Sequence, residues 1–291
     1  MAHHYLRFFT AKYQPPNDVH TSFTGKNIIV TGSNIGLGFE AAVKFVALGA
    51  SKVILGVRNI EKGENAQKQI EERTGKKGVT EVWQVDMSDY ESIKAFAKRV
   101  DTLDHLDVAV LNAGIYSVAY EQSKYGWENT LQTNTLSTVL LGLLLLPKLR
   151  SSKGTSIDKP VLEIVGSGRH EVAQITPDHD GSENLLESFN HKDDFSGSRQ
   201  YQMSKLFVQY AMKRIAKLAV DDVIVTSVCP GMCKSELPRA YKSNLTTAIL
   251  INMLYFLLFR STEQGSRTLV SGTVQGEKVH GRFWKDDIVQ P

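Results

Sequence analysis

The chain has 291 residues, 42% hydrophobic and 22% charged, which excludes general disorder and allows a sizeable core without staples. Its 34 Lys and Arg against 31 Asp and Glu leave +3, too weak a balance to argue for nucleic acid or an anionic membrane. Two cysteines, Cys229 and Cys233, make neither a disulfide framework nor a four-cysteine zinc site; no metal is expected, and a reducing, cytoplasmic setting fits.

Residues 1–22 carry no apolar run of secretory length, and Pro15-Pro16 make them an extended arm. From there the pattern alternates. Strands are expected at 27–30, 52–57, 79–85, 107–111, 161–165 and 223–228. Helices are expected at 39–48, 60–73, 89–103, 125–149 and 202–218. Near-continuous apolar strands separated by helices indicate a parallel sheet buried on both faces. The expected fold is therefore α/β, a Rossmann-type doubly wound sheet in one domain spanning 23–291. The run Val139 to Leu146, which ends at Pro147, reads as part of a helix buried in the core. The polar segment 168–199 is too long for an ordinary connection and reads as a loop insertion at the mouth of a site.

The least polar stretch is Leu245 to Phe259. Its 15 residues would span about 22 Å as a helix, short of a bilayer core, and Asn252 interrupts it. It is expected to cover a pocket or core, with an interfacial membrane contact as the alternative.

After the first strand comes Thr31-Gly32-Ser33-Asn34-Ile35-Gly36-Leu37-Gly38, then a helix. Glycines there allow a tight turn and bring backbone N–H groups to a pyrophosphate, which the helix N-terminus also favours. The second strand ends in Val57-Arg58-Asn59, with no acid to accept bonds from a free ribose 2′-hydroxyl. Arg58 could instead pair with a 2′-phosphate, and Ser33 could add a hydrogen bond. NADP(H) is thus expected, with NAD(H) as the alternative.

Tyr201 and Lys205 are spaced i, i+4 and share a helix face, at the opening of a helix. A nearby ammonium favours the phenolate, so the pair can move a proton near neutral pH. Ser167, after the fifth strand, could orient a carbonyl oxygen. Asn112-Ala113-Gly114 ends the fourth strand, and Asn134 lies in the long helix where an inward amide could hold a water. His170 and His191 read as exposed loop histidines.

In combination these motifs resemble the short-chain dehydrogenase/reductase family, its retinol-dehydrogenase-like branch and fungal reductases of secondary metabolism. The resemblance runs from about Phe23 to Arg282 and adds Cys229-Pro230-Gly231. It implies Tyr201 as acid and base, Lys205 as the group that lowers its pKa and bonds the nicotinamide ribose, Ser167 as carbonyl polariser and Asn134 as support for a relay water. It places Asp86 and Met87 at the adenine, Asn112, Ala113 and Gly114 near the cofactor, and Pro230 and Gly231 beside the nicotinamide. It makes 232–260 a substrate lid, whose apolar composition suggests a bulky lipophilic carbonyl or alcohol, polyketide- or terpenoid-like. It also implies a homodimer or homotetramer. Where the family often has a second serine, Gly166 precedes Ser167. Ser235 is the nearest substitute for a usual threonine after Gly231. Two other functions remain open: non-redox acid-base work such as dehydration, isomerisation or cyclisation, and nucleotide sensing without catalysis.

Overall fold

A computed structural model describes residues 14–154, 158–176, 184–193, 195–219, 222–234 and 259–290. Most of the apolar run 245–259 and Ser235 lie outside the described residues. Eight strands form one sheet: β1 (Asn27–Thr31), β2 (Lys52–Val57), β3 (Thr80–Gln84), β4 (Val108–Leu111), β5 (Val161–Val165), β6 (Ile224–Cys229), β7 (Phe283–Lys285) and β8 (Ile288–Gln290). Their order is β3-β2-β1-β4-β5-β6-β7-β8, parallel through β7, with β8 antiparallel at the edge. This is a single-domain Rossmann-like sheet.

Helices α1 (Gly36–Ala47), α2 (Ile60–Thr74) and α6 (Thr262–Gly272) pack on one face. Helices α3 (Tyr90–Val100), α4 (Asn129–Ser151) and α5 (Gly197–Leu218) pack on the other. The period-2 alternation of the strands feeds both cores. Ile29, Ile54, Leu162 and Ile164 point to the α3–α5 side, and Ile28, Val30, Val53 and Val161 to the α1–α2–α6 side. Strand order reverses between β1 and β4, and the crevice at that point, at the carboxyl ends of the strands, is where a doubly wound sheet takes its ligand.

The sequence expectations hold for the first six strands to within two residues at each end. Several details differ. α1 starts at Gly36, three residues earlier than expected, and α5 starts at Gly197. Tyr201 therefore sits in the second turn of α5 rather than opening it, and residues 197–199 belong to helix rather than to the insertion. α4 starts at Asn129, not Tyr125, and runs through Pro147 to Ser151, two residues past the expected end. The carbonyl that Pro147 cannot serve belongs to Leu143, which is exposed, so water can take it. α4 is long and apolar enough to cross a membrane, yet two thirds of its most apolar stretch is buried inside the fold, as in a core helix.

Everything from α6 onward went unassigned in the sequence. Its start was legible: Ser261 and Gln264 form a reciprocal capping box. The β7–β8 hairpin turns through Asp286 and Asp287, both in the left-handed region. Arg260, 2% exposed, pairs with Asp286 at 2.8 Å in a geometry too oblique for a hydrogen bond. It also donates to the Gln14 carbonyl, while Asn17 bonds Asp287. The described part of the arm is thus tied to the C-terminal hairpin.

Candidate active site

The glycine-rich turn is built around close approach. Gly32 and Gly36 adopt φ of +66° and +68°, which side chains rarely tolerate. A Cβ on Gly38 would lie 2.5 Å from Asn112 Nδ2 and 2.6 Å from the Gly32 carbonyl. Asn112 donates to the Thr31 and Gly32 carbonyls, and Thr31 Oγ1 accepts from Asn112 and Ala113 N–H. The turn and the β4 exit are therefore one unit across the crevice.

The start of α1 differs from its neighbours. Its N-cap, Ile35, offers no acceptor, and its first turn has no acid. By contrast α2 is capped by Asn59, α3 by Asp89 and α6 by Ser261, each with an acid in the first turn. α5 also starts without a side-chain cap or an acid, but α1 directly follows the glycine-rich turn at the carboxyl end of β1, the arrangement that suits a pyrophosphate.

Arg58 stands exposed just past β2. Ser33 does not share that position: it is fully buried and its hydroxyl has no hydrogen-bond partner among the described residues. Ser33 was expected to add a hydrogen bond beside Arg58; its side chain is buried, while that of Arg58 is exposed. Asp86 holds its own turn, accepting from Ser88 N–H and Oγ. Met87 turns its side chain into the core, which leaves its backbone as the part that can face a ligand.

On the other side of the crevice, Ser167, Tyr201, Lys205 and Asn134 come together. The Ser167 hydroxyl lies close enough to the Tyr201 phenol to lower its pKa. Lys205 Nζ donates to the Val165 carbonyl at 2.8 Å and lies 5.8 Å from the centre of the Tyr201 ring. Burial pushes the Tyr201 phenol up to about 12, partly offset by the Ser167 hydroxyl, although the ring keeps an edge open to solvent. Burial also pushes the Lys205 ammonium down to about 8.

Asn134 lies in a π-helical stretch of α4, Gln132–Ser137. Its Oδ1 accepts from Ile115 N–H, and its Nδ2 donates to the Ile115 carbonyl and to Ser204 Oγ. Both amide protons are committed, so the side chain serves first to tie the β4 exit to α5. Ser204 in turn donates to the Tyr201 carbonyl, and its own carbonyl accepts from Thr135. A Cβ on Gly114 would sit 3.1 Å from Asn134 Oδ1 and 3.8 Å from Lys205 Nζ, so the glycine keeps that corridor open.

Several contributors escaped the sequence reading. Tyr116 packs its ring on Tyr201, centroids 5.5 Å apart. Ser204 was hidden inside the Tyr-Lys spacing. Gly166 is explained: a Cβ there would lie 2.6 Å from Ser227 Oγ and 2.7 Å from Gln209 Nε2, which bond each other. Cys229, Pro230 and Gly231 leave β6 beside the site, with Gly231 at φ +77° against Arg260. His170 is half-buried rather than exposed, whereas His191 is exposed.

Residues 26–158 match the family model described as short chain dehydrogenase. Over 287 residues the chain is 43% identical to the short-chain dehydrogenase/reductase phmF of Phaeosphaeria nodorum, covering 97% of this chain and 84% of that one. It is 41% identical to the short-chain dehydrogenase/reductase ffsI of Aspergillus flavipes, covering 97% and 83%. Among solved structures it resembles the Pseudomonas aeruginosa RhlG/NADP active-site complex, with a TM-score of 0.69, 19% identity and coverage of 91% and 96%. A Shigella flexneri short chain dehydrogenase complexed with NADP gives a TM-score of 0.65, 20% identity and coverage of 93% and 100%. With relatives of this identity over nearly its whole length, the chain belongs to the short-chain dehydrogenase/reductase family of nicotinamide-dependent oxidoreductases.

Proposed function

We propose that the protein is an NADP(H)-dependent oxidoreductase that interconverts a carbonyl and an alcohol on a bulky, lipophilic, polyketide- or terpenoid-like substrate. The observation that carries this reading is the Ser167 hydroxyl set against the Tyr201 phenol, where it lowers the phenol's pKa, with Lys205 buried beside them. When bound, the nicotinamide supplies or accepts the hydride.

The chain's own residues do the rest. The uncapped start of α1, with Gly32, Asn34, Ile35, Gly36, Leu37 and Gly38, suits the pyrophosphate. Arg58 suits a 2′-phosphate, and the backbone at Asp86 and Met87 suits the adenine. Asn112, Ala113, Gly114, Pro230 and Gly231 border the nicotinamide end. Tyr201 keeps its proton at neutral pH, so it is loaded to give that proton to a carbonyl oxygen. The Ser167 hydroxyl accepts one bond from Arg169 N–H and retains a proton to hold the same oxygen. The Lys205 ammonium stabilises the phenolate that remains.

Tyr116 walls the substrate side, and the exposed Val118 and Val172 lie on the loops leaving β4 and β5 at the same edge. These apolar faces favour a lipophilic substrate over a polar one. Leu143, Leu144, Tyr210 and Leu218 are exposed on α4 and α5, which fits a homodimer or homotetramer through those helices. The two buried, unbridged thiols fit a cytoplasmic setting. Any peripheral membrane contact would rest on the 245–259 run, most of which is outside the described residues.

Fluorescence titration with NADPH and NADH tests the cofactor. The expected result is tighter NADPH binding that Arg58→Leu weakens about tenfold or more, with NADH binding unchanged. Equal affinity for both, insensitive to Arg58, would remove the NADP(H) assignment.

A further inference from the structure

A serine that holds a substrate oxygen needs a fixed backbone, because one χ1 rotation moves its hydroxyl off target. Ser167 has little regular structure to rely on. β5 ends at Val165, and a five-residue 3₁₀ turn, Gly168–Val172, follows. So short a turn does not hold itself.

The peptide unit joining Ser167 to Gly168 is held at both ends. Its carbonyl accepts His170 N–H at 3.1 Å and His170 Nδ1 at 2.7 Å. A carbonyl can only accept, so Nδ1 carries the imidazole proton. The N–H of the same unit, from Gly168, donates to Cys229 Sγ at 3.2 Å. The imidazole is braced in turn. It stands edge-on to Phe283, centroids 4.7 Å apart at 88°, and Phe283 is a buried residue of β7. A continuous chain of contacts thus runs from the sheet through Phe283 and His170 to the Ser167 carbonyl.

We propose that His170 is a positioning residue that fixes the Ser167 hydroxyl toward Tyr201, with the Cys229 sulfur as its counterpart on the other end of the peptide. The inference rests on the reading that Ser167 holds the substrate oxygen. His170 touches no reacting atom; it acts through the Ser167 backbone. The requirement is a donor at the Nδ1 position, not an acid or a base.

The test uses full-length protein, NADPH and phenanthrenequinone as a flat, lipophilic carbonyl probe. His170→Phe keeps a ring against Phe283 and lacks the donor. His170→Asn lacks the ring and restores an N–H donor. Ser167→Ala is the reference. Expected are a loss of about tenfold in kcat for His170→Phe, unchanged NADPH affinity, and recovery of most of that loss in His170→Asn. Adding His170→Phe to Ser167→Ala should cause no further loss, because the two act through one hydroxyl.

If Ser167→Ala is impaired while His170→Phe matches wild type, the proposal is overturned and the Ser167 reading stands. If Ser167→Ala is undiminished, the Ser167 reading itself fails. Equal loss from His170→Phe with and without Ser167 also overturns the proposal. Nitrogen NMR of the wild-type imidazoles gives a readout independent of turnover: a proton on Nδ1 of His170 is expected, and a proton on Nε2 alone would contradict the inference.

Discussion

Glu163 lies in the middle of β5 with 0% exposure, and neither carboxylate oxygen has a hydrogen-bond partner among the described residues. It faces α6, where a Cβ on Gly272 would lie 2.2 Å from Oε2. Burial raises its pKa well above the ordinary 4.5. The folded protein therefore keeps a proton on Glu163 that the unfolded chain releases. The contribution is full below the unfolded pKa and is lost as pH rises toward the folded one. Across that window stability should fall by about 1.4 kcal/mol per pH unit for this one proton. Glu163→Gln keeps the shape and removes the titration. Urea unfolding at about pH 5, 6 and 7 should show the wild type losing stability relative to the variant at that slope. Only the slope is diagnostic, since the buried amide is as unpartnered as the acid. Parallel pH dependence in both proteins would refute the reasoning.

Gly38→Ala should lower both thermal stability and NADPH affinity, because its Cβ meets backbone at 2.6 Å and the amide that clamps the turn at 2.5 Å; melting and titration measure the two effects. Arg260→Ala strips a buried cation from Asp286, Gln14 and the Gly231 turn, and should cost about 3 kcal/mol in urea unfolding, reduced to the extent that the 28%-exposed Asp286 can rehydrate. For carbonyl reduction, kcat/KM should be level below about 8 and decline above it, as Lys205 loses its proton, while Tyr201 at about 12 stays protonated throughout.

The sheet and the reacting groups were legible because each rests on local pattern. Apolar strands buried on both faces announce themselves, and Ser167, Tyr201 and Lys205 sit at spacings and strand ends that the chemistry demands. What escaped depends on contacts distant in sequence. Nothing near Ser33 shows that its side chain turns inward. The roles of Cys229 and His170 depend on β6 and β7 lying beside the β5 exit. Gly166 looked like a departure until Gln209 and Ser227 were seen to fill its side-chain space. The terminal hairpin was missed for another reason: its strands are only three residues long, too short for alternation to register.

The central claim is carbonyl chemistry with a proton from Tyr201, and stoichiometric turnover tests it most directly. NADPH consumption and alcohol formation would be followed together over a panel of lipophilic ketones, for wild type and Tyr201→Phe. The account predicts one alcohol formed per NADPH consumed, and a loss of about a hundredfold or more in Tyr201→Phe with NADPH binding intact. Product formation without NADPH consumption, or undiminished turnover by Tyr201→Phe, would contradict it.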